Sequence, residues 1–513
     1  MEKHHEPLKA SSDVLLSDTF TLVPSEGLLL SLQLTKTELQ VHSQPSGHHA
    51  PTSTRLFLTD CIGCRTFKGK DPADIGGYFT VVFYPLMMGK GSTAYRQRVS
   101  RTFRAGTFQG RDQNMQVART WVQTIQQLAD QQGEPYFLPT SPHFLVLVNP
   151  HGGTGKALEL FQKHVIPILM EADVHFTLLV TERPNQAREL VRDQDLSRWD
   201  AIVVMSGDGL IFEVVNGLME RPDWMVAIKK PLAILPGGSG NALAASVNHY
   251  SGQQQVMGTK LLINCSFVLC KGQPQPLDIV SLTTLSEKRI YSFLSLAWGF
   301  ISDVDIESEK YRFMGSIRFS FGTLVRLTAL RTYRGRLSYV KDSTLSKTKD
   351  LDTITNNPSS DNKCPVIQTD GVVKEELEDS LLVPLGQPVP SHWTVVQEDE
   401  FVLVLALYQS HLGADLYTAP MVQNLGEGNI HLFYATSRIS RGSLLKLFLS
   451  MEKGTHMDTE IAHLVHVPVK AFRIEPLQNT GIMTVDGEVI PCEPIQGQIH
   501  RGLGCCISAP SKT

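Results

Sequence analysis

Apolar and polar positions alternate in short runs near the start of the chain. Leu28-Leu29-Leu30-Ser31-Leu32-Gln33-Leu34 and Arg55-Leu56-Phe57-Leu58 lie within residues 18 to 75, a stretch broken by Gly, Pro and Ser. Period-two alternation sends successive side chains to opposite faces of a strand, so these runs predict a small β domain. Tyr78-Phe79-Thr80-Val81-Val82-Phe83-Tyr84 continues the pattern. Between Met115 and Leu128, Val117, Trp121, Ile125 and Leu128 recur at helical spacing and predict one amphipathic helix that closes the domain.

The pattern changes at Phe144. Apolar β-rich runs at Phe144 to Val148, His175 to Thr181, Asp200 to Met205 and Pro231 to Leu235 are each followed by a glycine-containing turn or a helical stretch. Strands that are continuously apolar and alternate with helices predict an α/β domain around a parallel sheet, over residues 143–275. After Pro276 strand-like runs return at Asp278 to Thr283, Tyr291 to Leu296, Phe401 to Leu407 and His431 to Tyr434. Helical insertions interrupt them from Lys310 to about Tyr333 and from Ser440 to Glu452. An antiparallel β-sandwich over residues 276–507 is expected. Residues 341–380 contain no Phe, Tyr or Trp and are rich in polar types, which predicts a disordered surface loop.

Composition narrows the function classes. The 513 residues, 42% of them hydrophobic, are enough for a large core and two or three domains. Lys and Arg total 47 against 51 Asp and Glu, so no global basicity attracts nucleic acid, and none is expected as a partner. The longest apolar runs, such as Leu294 to Ile301, fall well short of the roughly 18 to 20 residues that span a bilayer. The Met1-Glu2-Lys3-His4-His5 start lacks the pattern of a secretory signal. Cys61 and Cys64 form one CxxC without a second pair, which argues against structural zinc and for reduced thiols in the cytoplasm. Between Lys90 and Arg119 lie seven basic residues and one acid, a local attraction for an anionic membrane surface or, equally, a solvated face.

Three glycine-rich segments follow strands of the α/β region. Asn149-Pro150-His151-Gly152-Gly153-Thr154-Gly155-Lys156 fails as a Walker P-loop, because Pro150 and Ala157 stand where Gly and Ser or Thr are required. Glycines ahead of a helix still let backbone N–H groups approach a phosphate. Ser206-Gly207-Asp208-Gly209 flanks one carboxylate with residues lacking side-chain bulk, so two substrates can approach it. That carboxylate can take a proton from an attacking hydroxyl. Pro236-Gly237-Gly238-Ser239-Gly240-Asn241 offers N–H groups and a hydroxyl to phosphate oxygens. Each segment alone reads equally as a tight turn; three at strand ends of one sheet point to its carboxyl edge, where ligands of open α/β sheets bind.

Two resemblances sharpen this. Strands closed by a terminal helix over residues 18–130 resemble a pleckstrin-homology domain. The Met205-Ser206-Gly207-Asp208-Gly209-Leu210 segment with Glu213-Val214-Val215-Asn216-Gly217 and the Pro236 to Ala244 segment resemble the diacylglycerol-kinase catalytic superfamily of lipid kinases. Leu294 to Phe300, Asp303 to Arg312 and Val485-Asp486-Gly487-Glu488 resemble its sphingosine kinase branch, and the likeness runs from about Phe144 to Gly497 apart from the 341–380 loop. It implies ATP and Mg²⁺ as cofactors, sphingosine and related long-chain bases as substrates, and nucleotide held between the α/β domain and the β-sandwich.

The resemblance also implies roles. Asp208 is the catalytic base. Asn149, His151, Gly152, Thr181, Glu213, Gly238, Ser239, Gly240, Arg312, Arg318, Asp486, Gly487 and Glu488 contact nucleotide. Ser206, Gly207, Asp208, Gly209 and Asp305 meet the lipid head, and Ile301, Phe319, Thr323, Phe448 and Met451 line a tail cavity. A carboxylate at Asp305 suits the cationic amine of a long-chain base, which ceramide and diacylglycerol lack. Without the likeness, Asp303, Asp305, Glu307 and Glu309 read as a solvated acidic stretch. A ceramide or other neutral-lipid kinase and a non-catalytic lipid-binding adaptor are the alternatives. A cytoplasmic enzyme with peripheral membrane association is expected.

Overall fold

The structure is a computed structural model. It describes residues 13–24, 28–43, 53–89, 93–132, 141–308, 310, 317–342, 376–458 and 460–509, with the side chains of 317–320 excepted. The expected loop therefore falls largely outside the described residues, as does Arg312.

The N-terminal strands form two meanders. Val14–Val23, Leu29–Thr35, Glu38–Ser43 and Ser53–Phe57 make the first, and Cys61–Lys68, Gly77–Phe83 and Val99–Ala105 the second. Antiparallel pairing of Val14–Val23 with Val99–Ala105 joins them into one seven-stranded sheet. Helix α1 (Arg111–Asp130) lays Met115, Ala118, Trp121, Val122 and Ile125 into the core. The Trp121 ring meets Phe20 edge-on at 5.3 Å between centroids, and its N–H donates to Asp18 at 2.8 Å. Cys61 and Cys64 are buried in this core, and burial pushes the Cys61 thiol up to about 12.

This module is packed onto the next part of the chain. Ile62, Val82 and Tyr84 form one buried cluster with Ile168 and with Phe267 of a downstream helix. Gly63 permits the approach: a Cβ there would stand 1.8 Å from the carbonyl oxygen of Glu171. The guanidinium of Arg96 lies 3.5 Å from the Phe267 ring centroid and 2.7 Å from Asp60, while Arg98 pairs with Glu171 at 2.6 Å and Arg104 with Asp74 at 3.0 Å. Arg111 donates to the backbone carbonyl of Asp74 at 2.8 Å. Of the seven cations between Lys90 and Arg119, Arg96, Arg98, Arg104 and Arg111 thus have partners elsewhere in the protein, and Arg101 donates to the adjacent Ser100 carbonyl at 3.2 Å.

Strands His175–Val180, His143–Val148, Ala201–Ser206 and Leu232–Pro236 pair in parallel in that spatial order. Phe144–Val148 and Ala201–Met205 are wholly buried, as strands covered on both faces must be. Helices α2 (Asp208–Met219), α3 (Ala242–Tyr250) and α4 (Thr259–Lys271) follow the third and fourth of these strands. The parallel sheet does not end at its last strand. Leu232 pairs with Cys506 of the final strand, Ile495–Ser508, which runs antiparallel to Gln273–Thr284 and then to Leu464–Pro476. The sheet continues through Tyr333–Lys341, Glu400–Leu407 and Ser295–Gly299, fifteen strands among the described residues. Strand Gln273–Thr284 crosses the expected boundary at residue 276 without interruption.

Against one face of the antiparallel part pack α5 (Phe300–Glu307), α6 (Ile317–Thr328) and α7 (Arg441–Met451), whose buried residues share a cluster with Val402, Leu405 and Phe433. The helix expected from Lys310 to about Tyr333 ends at Thr328, ahead of the strand that begins at Tyr333.

The expectation of disorder across 341–380 fails at both ends. Lys341 ends a strand, and Asp342 is buried, with its carboxylate 3.1 Å from Lys470. At the far end Asp379 accepts from Ser281, from Arg289 at 2.9 Å and from His500 at 3.0 Å, which pins residues 376–381 to the sheet.

Candidate active site

The three glycine turns interlock. A Cβ on Gly238 would lie 2.3 Å from the Gly207 Cα, and one on Gly153, whose φ is +57°, would lie 2.7 Å from the Gly238 carbonyl carbon. Side chains at these positions would push the turns apart, so glycine brings three strand ends into one polar surface. Asn149 shapes the first turn by accepting the His151 N–H at 2.9 Å. Asn241, at φ +54°, accepts from Gly238 N–H at 2.9 Å and donates back to its carbonyl at 2.7 Å.

Asp208 begins α2 and points at the start of α3. Its Oδ2 accepts the Ala242 N–H at 2.8 Å and its Oδ1 the Leu243 N–H at 3.0 Å. The carboxylate is therefore held near the positive ends of two helices. Burial pushes its pKa above the usual carboxylate value, and the N–H donors pull the other way. Gly209 leaves room for Glu488: a Cβ would come 2.3 Å from the Glu488 Oε1.

From this polar surface a cavity of about 350 Å³ runs between the sheet and α5, α6 and α7. Its polar end includes Asn149, Gly152, Ser206, Gly207, Asp208, Gly209, Glu213, Gly238, Ser239, Gly240, Asp486, Gly487 and Glu488. Ile301, Thr323 and Phe448 line the apolar end, with Asp305 also on the wall, and a Cβ at Gly487 would lie 3.9 Å from Asp305 Oδ2.

Six expected residues stand elsewhere or lie outside the described side chains. His151 is exposed and does not line the cavity. Thr181 is buried behind the first turn, where its hydroxyl approaches the Val148 carbonyl at 3.4 Å. Met451 sits on the same face of α7 as Leu444 and Leu447 and is buried in the core, whereas Leu445, Phe448 and Leu449 turn to the cavity. Arg318 and Phe319 lie on α6, and their side chains, like Arg312, are outside the described residues.

Asp486 lines the cavity but has its carboxylate turned inward. Oδ1 accepts from the Ser292 hydroxyl at 2.7 Å and from the N–H groups of Leu294 and Ser295 at 3.0 and 2.9 Å; Oδ2 accepts from Phe293 at 3.1 Å. Burial outweighs these donors and raises its pKa to about 7. Its side chain closes the turn before Ser295–Gly299, which leaves Gly487 and Glu488 to face the cavity.

Sequence reasoning missed Val304, Leu324, Leu412, Asp415, Leu416, Leu445 and Leu449 on the wall. Leu445 and Leu449 carried a signal, being one turn apart on the second apolar face of α7. The short hairpin of His411–Gly413 with Leu416–Tyr417 carried none; it reaches the cavity because the Ala414 N–H donates to Gly240 at 2.8 Å.

A buried carboxylate among glycine turns, opening into an apolar cavity, defines a kinase of lipid-like substrates built on an α/β catalytic domain, and the diacylglycerol kinase catalytic domain model matches residues 143–282. "Sphingosine kinase 1" of Homo sapiens is 55% identical over 380 residues, 73% of this chain and 94% of that protein. "Sphingosine kinase 2" of Homo sapiens is 36% identical over 611 aligned positions, 98% of this chain and 92% of that protein. The crystal structure of a diacylglycerol kinase from Bacillus anthracis str. Sterne is 18% identical, covers 73% of this chain and 100% of that one, and has a TM-score of 0.43. The chain belongs to the sphingosine kinase family.

Proposed function

We propose that the protein transfers the γ-phosphoryl group of ATP to the primary hydroxyl of sphingosine or dihydrosphingosine, giving the 1-phosphate. The observation that carries this reading is the position of Asp208, buried at the junction between the glycine turns and the apolar cavity and held by two backbone N–H groups. Its fixed orientation and raised proton affinity suit a base that takes the lipid hydroxyl proton as that oxygen attacks phosphorus.

The N–H groups of the Gly152, Gly238 and Gly240 turns and the Ser239 hydroxyl hold the triphosphate. The likeness adds Arg312 and Arg318. Asp305 sits on the cavity wall near Gly487, and a carboxylate there supports the reading that it pairs with the ammonium of the base. Among the described residues there is no cluster of three metal-ligating side chains. Magnesium on a triphosphate keeps several waters and needs only one or two protein carboxylates, so Glu213 and Glu488, both on the polar wall, fit it. When bound, it neutralises charge on the phosphates.

The N-terminal module reads as pleckstrin-homology-like: a four-strand and a three-strand meander joined through the first and last strands, with a closing helix. No helix among the described residues is long and apolar enough to cross a membrane. Peripheral contact is better served by the cavity mouth, where Leu324 and Leu449 line the cavity yet are 54% and 59% exposed, with Phe321 and Val325 beside them on α6. A radiolabel transfer assay with sphingosine, ceramide and diacylglycerol tests the substrate. Transfer to sphingosine alone is expected; preferred transfer to ceramide or diacylglycerol would reject the amine-directed reading.

A further inference from the structure

The width of the apolar end depends on how α5 and α6 cross. They approach closely at Gly322, where a Cβ would lie 3.0 Å from the Ser308 Cβ and 3.4 Å from the Val304 Cγ1. Both helices contribute wall: Ile301, Val304 and Asp305 from α5, Thr323 and Leu324 from α6. Asp303 stands two residues before Asp305, about 200° around the helix axis from it. Its side chain is 1% exposed.

Arg326 of α6, with its side chain 7% exposed, meets Asp303 there. Its Nε and Nη2 donate to the Asp303 Oδ2 at 3.2 and 3.3 Å, and its Nη1 lies 3.5 Å from Glu307 on the next turn of α5. The Tyr333 hydroxyl donates to the same Oδ2 from the strand beneath. The other oxygen, Oδ1, is buried with no hydrogen-bond partner among the described residues. Three donors therefore converge on one oxygen, although apolar packing at a helix crossing would stabilise at least as well. A planar guanidinium bridging two turns of a neighbouring helix does fix rotation and spacing, which apolar contacts leave freer.

We propose that Arg326 is a positioning residue for the lipid substrate: tied to Asp303 and Glu307, it fixes α6 against α5 and thereby sets the cavity wall and the direction of Asp305. The inference rests on the long-chain-base reading of the cavity. Arg326 touches neither substrate. It acts through α5, so its loss affects lipid binding and leaves the glycine turns alone.

The test compares full-length wild type, Arg326→Lys, Arg326→Met and the double variant Asp303→Asn with Arg326→Met, measuring KM for sphingosine, KM for ATP, kcat and Tm. Arg326→Met is expected to raise KM for sphingosine about tenfold, with KM for ATP and kcat changed less than about twofold, and Arg326→Lys to fall between it and wild type. The double variant removes the unpaired buried charge and keeps an acceptor for Tyr333. It should recover most of the lost Tm and keep the raised KM for sphingosine. Equal rises in both KM values, or a double variant that recovers KM together with Tm, would overturn the proposal. Equilibrium binding of a fluorescent long-chain base to the same proteins separates the two readings. A wild type that binds the base without phosphorylating it rejects the kinase reading and leaves the Kd of Arg326→Met to judge the positioning role, whereas a wild type that does not bind it rejects both.

Discussion

The two ends of the cavity are built by opposite means. At the polar end backbone does the work: glycines at 153, 207 and 238 let three turns touch, and Asp208 is oriented by N–H groups of α3. At the apolar end side chains from α5, α6, α7 and a short hairpin make the wall, and a buried ion pair orients the helices. The first arrangement is rigid because any added atom collides with backbone. The second is set by side-chain packing and by that ion pair, so its width follows the side chains that line it. Phosphate chemistry needs the former, since charge developing at phosphorus is stabilised only by donors already in place. A flexible hydrocarbon tail is matched by the latter.

The sharpest way to break this contrast is at its two buried aspartates, both hydrogen-bonded to backbone and differing in what they face. Asp208→Asn is expected to lower turnover about 10³-fold or more, because the base is lost. The new amide also faces one of the two helix N–H groups, at roughly 1–3 kcal/mol of stability. Radiolabel transfer by a purified variant with a cooperative melt checks this; near-normal activity would reject Asp208 as base.

Asp486→Asn should do the reverse. It replaces an acceptor of four hydrogen bonds, so a loss of about 3 kcal/mol in stability is expected, while KM for ATP in the folded fraction changes less than about threefold. The pH dependence carries a sign. With the folded pKa raised to about 7, the folded state holds a proton that the unfolded state has released above its ordinary carboxyl value near 4. Stability from this group is full below that ordinary value and is lost as pH rises through about 7. Wild type should therefore lose stability to urea between pH 5 and pH 8 more steeply than Asp486→Asn, and parallel curves would refute the assignment.

The same contrast explains what could be read before any coordinates. The polar end was legible because its chemistry is local in sequence: Ser206-Gly207-Asp208-Gly209 and Pro236 to Asn241 each carry their own turn, helix start and functional group. The apolar end was legible only in part. Ile301, Thr323 and Phe448 were found by likeness, while Met451 was misplaced because a helix apolar on two faces does not say which face meets the core. Leu412 and Leu416 gave no sign, since their position comes from a hairpin bonded to the Gly240 turn some 170 residues earlier in the chain. Domain boundaries suffered likewise. The strand Gln273–Thr284 reads as a strand from either side of residue 276, and only its pairing with Ile495–Ser508 reveals one continuous sheet.

Between the two ends stands Asp305, and its removal should sharpen the division. Asp305→Asn is expected to raise KM for sphingosine about tenfold, the loss of one charge-assisted hydrogen bond of roughly 1.5 kcal/mol, and to leave KM for ATP within about twofold. Steady-state kinetics with each substrate varied in turn checks this, and equal rises in both constants would move Asp305 from the lipid head to the nucleotide.

The smallest expected effect lies at the mouth. Leu324 and Leu449 are more than half exposed while also lining the cavity, so each has some apolar surface left to bury in another phase. If a membrane covers the mouth, changing either to Gln removes roughly 1 kcal/mol of transfer free energy, about a fivefold loss of affinity for lipid vesicles. The kcat at saturating sphingosine in detergent micelles should stay within about twofold, because neither residue touches the reacting atoms, whereas KM for sphingosine can rise, since both residues line the cavity. Vesicle sedimentation paired with the micelle assay reads both quantities on the same protein. Undiminished vesicle binding by a variant with both Leu324→Gln and Leu449→Gln would place the membrane contact elsewhere, on the N-terminal module, where Arg101 and Lys68 remain at the surface while Arg96 and Arg98 are held in its docking contacts. Deleting that module is a poor substitute for this experiment, since it would uncover Ile168 and Phe267 and unsettle α4, which packs against the parallel sheet.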